Sequence, residues 1–161
     1  MSNNTPIPAR MLLNPLHLLS LGFGSGLSRF APGTMGTLVA IPIYLLLIMP
    51  GYAIYIPALI LFTLLGFYIC GYTARALGVH DHGGIVWDEI VGYMITMLFV
   101  PVSWTWIILG FLFFRLFDIW KPWPISVLDR NVHGGVGIMV DDILAGIYAA
   151  ICLQLIAHFI I

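Results

Sequence analysis

Three groups of carboxylates stand where this sequence passes from polar to apolar. Asp88 and Glu89 open the uncharged run "IVGYMITMLFV", Arg115 and Asp118 close another, and Asp141 and Asp142 precede the last. Ionisable groups at membrane depth are costly and default to a functional reading. Acids brought together cannot all stay ionised unpaired, because like charges raise one another's pKa. A hard divalent cation resolves the conflict, and an all-oxygen carboxylate set suits Mg²⁺ or Mn²⁺ rather than zinc or iron. Asp88, Glu89, Asp141 and Asp142, with Asp118 as a further ligand, are therefore expected to meet around a cation. The plainer alternative is a helix–helix salt bridge, with Arg115 paired to Asp118 at i+3 and to one other acid.

The block "GFGSGLSRFAPGTMGT" (22–37) is the candidate anion cradle. Glycines such as Gly24 allow turns that aim successive N–H groups at one point, and Ser25, Thr34 and Thr37 add donors. Arg29 adds a guanidinium that suits bidentate phosphate binding. No Gly-Lys-Ser/Thr follows, so this is not a Walker loop. Gly22 and Gly26 also fit a GxxxG helix-packing pattern. Lys121, in "KPWP", suits either phosphate neutralisation or snorkelling beside Trp120 and Trp123. Asp81 and His82 lie in the loop before Asp88, and either is placed to move a proton. His17 and His158 read as packing residues. A serine elbow and an HExxH helix are both missing, and Cys70 to Arg75 falls one residue short of a thiol phosphatase loop. Cys70 and Cys152 sit in apolar runs and suggest no disulfide framework.

Which elements could hold these groups follows from composition. The 161 residues are 61% hydrophobic and 8% charged, against ~25% charged in a soluble domain. That much apolar surface cannot be buried in a fold of this size and must face lipid. The expectation is an all-α integral membrane protein, a single domain over 1–161 with a poorly patterned segment at 1–15 that does not read as a signal peptide. The uncharged stretch 30–74 has room for two spans of ~20 residues, placed near 35–50 (with Pro42 inside) and 53–73, with "MPGY" as the turn. The stretch 90–114 is split by "VPVSW" and reads as a hairpin of two short helices, with Trp104 and Trp106 as interfacial anchors. One last span fills 143–161. A bundle of four to five transmembrane or short hairpin helices results, with polar blocks 22–34, 75–89 and 115–142 on one face. The positive-inside rule makes that face cytoplasmic.

A net charge of −1 and the lack of a basic patch exclude a nucleic-acid partner. "HGGIVWDEIVG" and "HGGVGIMVDDILAG" are weakly alike, each a His-Gly-Gly, an apolar spacer, a carboxylate pair and a small residue. Three function classes fit so far: a metal-dependent enzyme acting on an oxyanion, a divalent-cation transporter or channel, and a structural subunit whose acids are salt bridges. Charge gathered at one face argues against a transport path across the full depth.

Taken together, "GFGSGLSRFAPGTMGT", "HDHGGIVWDEIVG", "RLFDIWKPWPI" and "DRNVHGGVGIMVDDILAG" resemble the bacterial phosphatidylglycerophosphatase A family. The resemblance runs in order from about His17 to the last span. It implies a Mg²⁺-dependent lipid phosphatase, multi-pass in the bacterial inner membrane with its site facing the cytoplasm. Its substrate would be phosphatidylglycerophosphate, cleaved to phosphatidylglycerol and phosphate. On that reading Asp88, Glu89, Asp118, Asp141 and Asp142 serve the metal, with Asp88 and Arg115 also counted among the catalytic groups. Arg29, Arg115 and Lys121 meet the phosphoryl oxygens, and His82 or Asp81 protonates the leaving alkoxide.

Overall fold

Prolines and glycines set where the helices begin and end. The computed structural model describes residues 5–161, so residues 1–4 of the expected unpatterned segment lie outside it. Beyond them a 3-10 turn, Ala9–Leu13, leads into α1, Pro15–Ser20, whose start is capped by Asn14 accepting from the Leu16 N–H. α2, Pro32–Ile48, opens on a proline at the position where a missing N–H costs nothing. Gly51, at φ 98°, turns the chain into α3, Tyr52–Leu77, and Gly78 at φ 69° ends it. The "MPGY" turn thus falls where the sequence places it. Among the described residues there is no strand.

The stretch 90–114 is two helices, α4, Trp87–Thr96, and α5, Trp104–Trp120. They run antiparallel: the Tyr93 hydroxyl donates to the Ile107 carbonyl at 3.0 Å, Gly110 lies on Met97, and Gly92 lies on the Phe114 ring. The hairpin returns Arg115 to the end of the bundle where Glu89 stands. Trp104 is exposed as an anchor would be, but Trp106 is buried in the core and cannot serve as one.

α6, Ile125–Asn131, and α7, Gly134–Ile160, complete the chain. α7 starts well before residue 143, so Asp141 and Asp142 lie two turns inside it instead of opening it. Glycine's poor helix propensity hides this start. Tertiary packing overrides it, because a side chain at Gly135 would strike the Phe67 carbonyl of α3, and one at Gly137 the Val132 carbonyl. α3 and α7, with mean hydropathy 2.2 and 2.1 over their most apolar windows, are long and apolar enough to cross a membrane.

α4 packs more extensively on α7 than any other pair of elements does, and small residues make this possible. A Cβ on Gly92 would come 2.8 Å from the Asp142 carbonyl, and one on Gly146 would strike the Gly92 carbonyl. Thr96 seals the crossing, its hydroxyl 2.9 Å from the Gly92 carbonyl and 3.4 Å from that of Gly146. Gly146→Ala should therefore push the two helices apart. We expect a loss of ~1–3 kcal/mol, as for other overpacked contacts, read by thermal unfolding in detergent, together with loss of activity. Wild-type unfolding and turnover in this variant would show that the crossing tolerates a methyl group.

Candidate active site

Asp88 and Glu89 occupy the first turn of α4, and Asp142 faces them from α7. Each offers a carboxylate oxygen within 4.8 Å of the other two. They are 7%, 9% and 2% exposed, so water does little to screen them. Asp88 Oδ1 and Glu89 Oε2 are buried without a hydrogen-bond partner. Buried acceptors are nearly always satisfied, so these two oxygens, with Asp142 beside them, are a group that could hold a cation. The donor set is all oxygen, which suits Mg²⁺ or Mn²⁺.

The other two expected ligands are turned toward cations. Asp118 pairs with Arg115 one turn earlier on α5, as the salt-bridge alternative allowed, and it also stands beside Asp142 at the edge of the group. Asp141 Oδ2 accepts from Lys121 Nζ at 2.8 Å, and Lys121 also reaches Asp129 Oδ1 at 2.9 Å. Lys121 is thus committed to two acids, and it neither snorkels nor stands free for phosphate. Burial alone would lower the pKa of its ammonium, but Asp141 and Asp129 outweigh that and hold it above the ordinary lysine value. Lys121 itself closes α5 with a left-handed backbone, φ 50°, which aims its side chain back between α6 and α7.

α2 begins against the same acids. A side chain at Gly33 would lie 2.7 Å from Glu89 Oε1 and 3.1 Å from Arg115 Nη1, so only glycine admits this approach. The open N–H groups and positive end of α2 therefore face the acidic group and Arg115. The rest of the glycine-rich block behaves differently from the expected cradle. Gly22, Phe23 and Gly24 all have positive φ, which rules out GxxxG helix packing for Gly22 and Gly26. Ser25 Oγ donates to the Gly22 carbonyl and Thr37 Oγ1 to the Gly33 carbonyl, each at a local backbone partner. Thr34 sits in the first turn of α2, and Arg29 is exposed on the loop before it.

His82 is buried with both ring nitrogens engaged. Nδ1 accepts from the Gly84 N–H at 2.9 Å and Nε2 meets the Thr5 carbonyl at 2.8 Å. It pins the loop before α4 to the N-terminal segment and has no nitrogen left for a substrate. Asp81 stays at the exposed rim. His80 and His133, which by their positions beside the acidic blocks suit acid/base or ligand roles, contact each other at the start of α7. His17 packs as expected, its Nδ1 2.8 Å from the Thr73 hydroxyl, and burial lowers its pKa.

Sequence reasoning missed Gly33, Asp129 and Thr5. Gly33 carried a signal, a Pro-Gly step at a helix start. Asp129 and Thr5 carried none, since only the folded chain brings them to Lys121 and His82.

Buried carboxylates, an adjacent guanidinium and an open helix N-terminus are the apparatus of an enzyme acting on a phosphorylated substrate. The comparisons make this specific: residues 18–157 match the family model described as phosphatidylglycerophosphatase A, and the chain belongs to that family. It is a phosphoric monoester hydrolase. An Escherichia coli protein named phosphatidylglycerophosphatase A is 52% identical over 90% of this chain and 85% of its own. One of the same name from Haemophilus influenzae is 47% identical over the full length of both. A Bacteroides thetaiotaomicron protein, provisionally named a phosphatidylinositol-3-phosphatase, is 41% identical over 89% of this chain and 94% of its own. No solved structure matches the chain. The transporter or channel alternative finds no support among these relatives.

The Lys121–Asp141 pair can be tested by a double-mutant cycle. Lys121→Gln leaves a buried carboxylate without its cation and should cost about 1–2 kcal/mol of stability, tempered by the partial exposure of the lysine. Adding Asp141→Asn should restore part of that loss in thermal unfolding. Strictly additive penalties would mean the two groups are not coupled.

Proposed function

We propose that this protein hydrolyses phosphatidylglycerophosphate to phosphatidylglycerol and inorganic phosphate, using Mg²⁺ held by Asp88, Glu89 and Asp142. The observation that carries the reading is this buried three-carboxylate group, with Asp88 Oδ1 and Glu89 Oε2 unpartnered and with Glu89 and Arg115 both meeting the first turn of α2 at Gly33. The relatives' names supply the substrate. The bundle is taken to lie in the bacterial inner membrane. Supporting that are two helices of spanning length and outward faces carrying exposed Leu61, Leu64, Ile108, Leu112 and Leu155. The grouping of charge at one end, read with the positive-inside rule, supports a site facing the cytoplasm, at the level of the lipid headgroup.

When bound, Mg²⁺ supplies Lewis-acid charge neutralisation and acidifies water at neutral pH. The chain's own residues do the rest. Arg115, held by Asp118, keeps a buried Nε without a partner and offers it to a phosphoryl oxygen as charge develops. The N–H groups of the first turn of α2 add further donors. A water oxygen forms the new bond to phosphorus as the bond to the glycerol oxygen breaks; one water hydrogen stays on the released phosphate, the glycerol oxygen takes a proton from its donor, and the water's second proton restores that donor through solvent. With both nitrogens of His82 committed, Asp81 at the rim is the assigned donor. The burial of the acids excludes bulk water and strengthens each of these interactions.

Purified protein in detergent, given phosphatidylglycerophosphate, should release phosphate with Mg²⁺ and stop with EDTA. Asp88→Asn or Asp142→Asn should reduce kcat on the order of 10³-fold, the loss of several kcal/mol of transition-state stabilisation. Metal-independent release, or wild-type turnover by either variant at saturating Mg²⁺, would refute the metal assignment.

A further inference from the structure

Phosphatidylglycerophosphate carries two phosphates, the terminal monoester that is cleaved and the diester joining its glycerol to the diacylglycerol. We propose that Arg29 and the cavity it lines bind the diester phosphate, so that the monoester alone enters the carboxylate site. This inference rests on the substrate reading above.

Five cations lie in the polar blocks at this end of the bundle, Arg29, Arg75, Arg115, Lys121 and Arg130; two are committed to acids, and Arg75 lines a separate cavity with His80 and Gly134. Arg115 pairs with Asp118, and Lys121 bridges Asp129 and Asp141. Arg29 has no ion pair among the described residues. It lines a cavity of about 430 Å³ with Thr5, Ser28, Pro32, His82 and Gly84 among its neighbours, a volume within the range of small-ligand sites. None of Asp88, Glu89, Arg115 or Asp142 lines that cavity. Arg29 therefore does not join Arg115 and Lys121 around one phosphoryl group, as the sequence suggests.

The two sites are distinct yet adjacent. Pro32 lines the cavity, while the next residue, Gly33, packs on Glu89 and Arg115. Consecutive Cα atoms are ~3.8 Å apart, so the first turn of α2 forms a thin partition. A single glycerol unit separates the two phosphates of the substrate, and it requires this kind of spacing. Electrostatics points the same way. The crowded acids repel a second phosphate, and a cation set apart from them is where its charge is best stabilised. A guanidinium also matches the two non-bridging oxygens of a phosphodiester.

The cavity walls are held by hydrogen bonds. Ser28 Oγ donates to the Phe30 carbonyl at 2.9 Å and accepts from the Phe30 N–H at 3.3 Å, fixing the turn that carries Arg29. His82 ties Thr5 to Gly84 across the opposite wall, and Gly26 and Gly84 touch backbone to backbone. His82 thus shapes the subsite without taking part in proton transfer. The consequence is specificity: a lipid with a monoester and no diester, such as phosphatidic acid, gains nothing from Arg29.

Dihexanoyl lipids below their micelle-forming concentration separate this contact from binding to a neighbouring headgroup. With the full chain in neutral detergent, Arg29→Ala should raise KM for phosphatidylglycerophosphate roughly 10–100-fold, the value of a charge-assisted contact. Inhibition by phosphatidylglycerol, which has the diester alone, should weaken by a similar factor. Inhibition by inorganic phosphate should weaken far less, and the preference for phosphatidylglycerophosphate over phosphatidic acid should narrow. Arg29→Lys, which keeps the charge, should recover part of each loss and provides the same measurements if the alanine variant folds poorly. An unchanged KM, or equal weakening of both inhibitors, would overturn the inference. Failure of the wild-type protein to cleave phosphatidylglycerophosphate would overturn the substrate reading itself.

Discussion

The close crossing of α4 and α7 is the contact on which the rest of the molecule depends. Gly92 and Gly146 let the two backbones meet with no side chain between them, and Thr96 bonds across the seam. Because Asp88 is one turn before Gly92 and Asp142 one turn before Gly146, closeness at the glycines becomes closeness at the carboxylates. Small residues at a helix crossing let backbones approach closely, and packing of this kind holds two helices together without a large side chain between them. A wider crossing would relieve the crowding of the acids and remove the site with it.

Crowding the acids creates an electrostatic problem that the surrounding elements divide between them. Asp118 is matched by Arg115 from its own helix, and Asp141 by Lys121 from the end of α5. Asp88, Glu89 and Asp142 have no ion pair among the described residues, and Asp88 Oδ1 and Glu89 Oε2 have no hydrogen-bond partner. Neutralising the outer acids with fixed side chains while leaving the inner three open confines the attraction for an external cation to one place. The short α4–α5 hairpin serves the same end, since it returns Arg115 and Asp118 to the level of Glu89 where a single long crossing would have carried them away.

The loops around this group are built to hold position. His82, Ser28 and the glycine contacts between 26 and 84 tie the N-terminal segment, the turn before α2 and the loop before α4 into one frame. Ala31 precedes Pro32 with a left-handed backbone, φ 42°, at the point where that frame meets α2. Strain of this sort persists where the surroundings over-determine the chain, and it gathers at functional sites.

Much of this could be read from the residues. Uncharged stretches bounded by charges, with Pro-Gly and "VPVSW" as breaks, mark the helices and the hairpin, because Pro and Gly interrupt a helix where an apolar run would otherwise continue it. The carboxylate pairs followed by glycine or alanine mark the acids that meet, since spacing on a helix is set by its period. The start of α7 was hidden, because glycine's low propensity is visible in sequence while the Phe67 carbonyl that demands glycine is not. The sequence by itself determined the helical elements, the acid-rich end and the residue types available for phosphate chemistry. Tertiary structure alone decided which acids are neutralised within the chain, that His82 is held by backbone, and that Arg29 lines a cavity that Arg115 does not. Those outcomes turn on distances between segments far apart in the chain, which local pattern cannot encode.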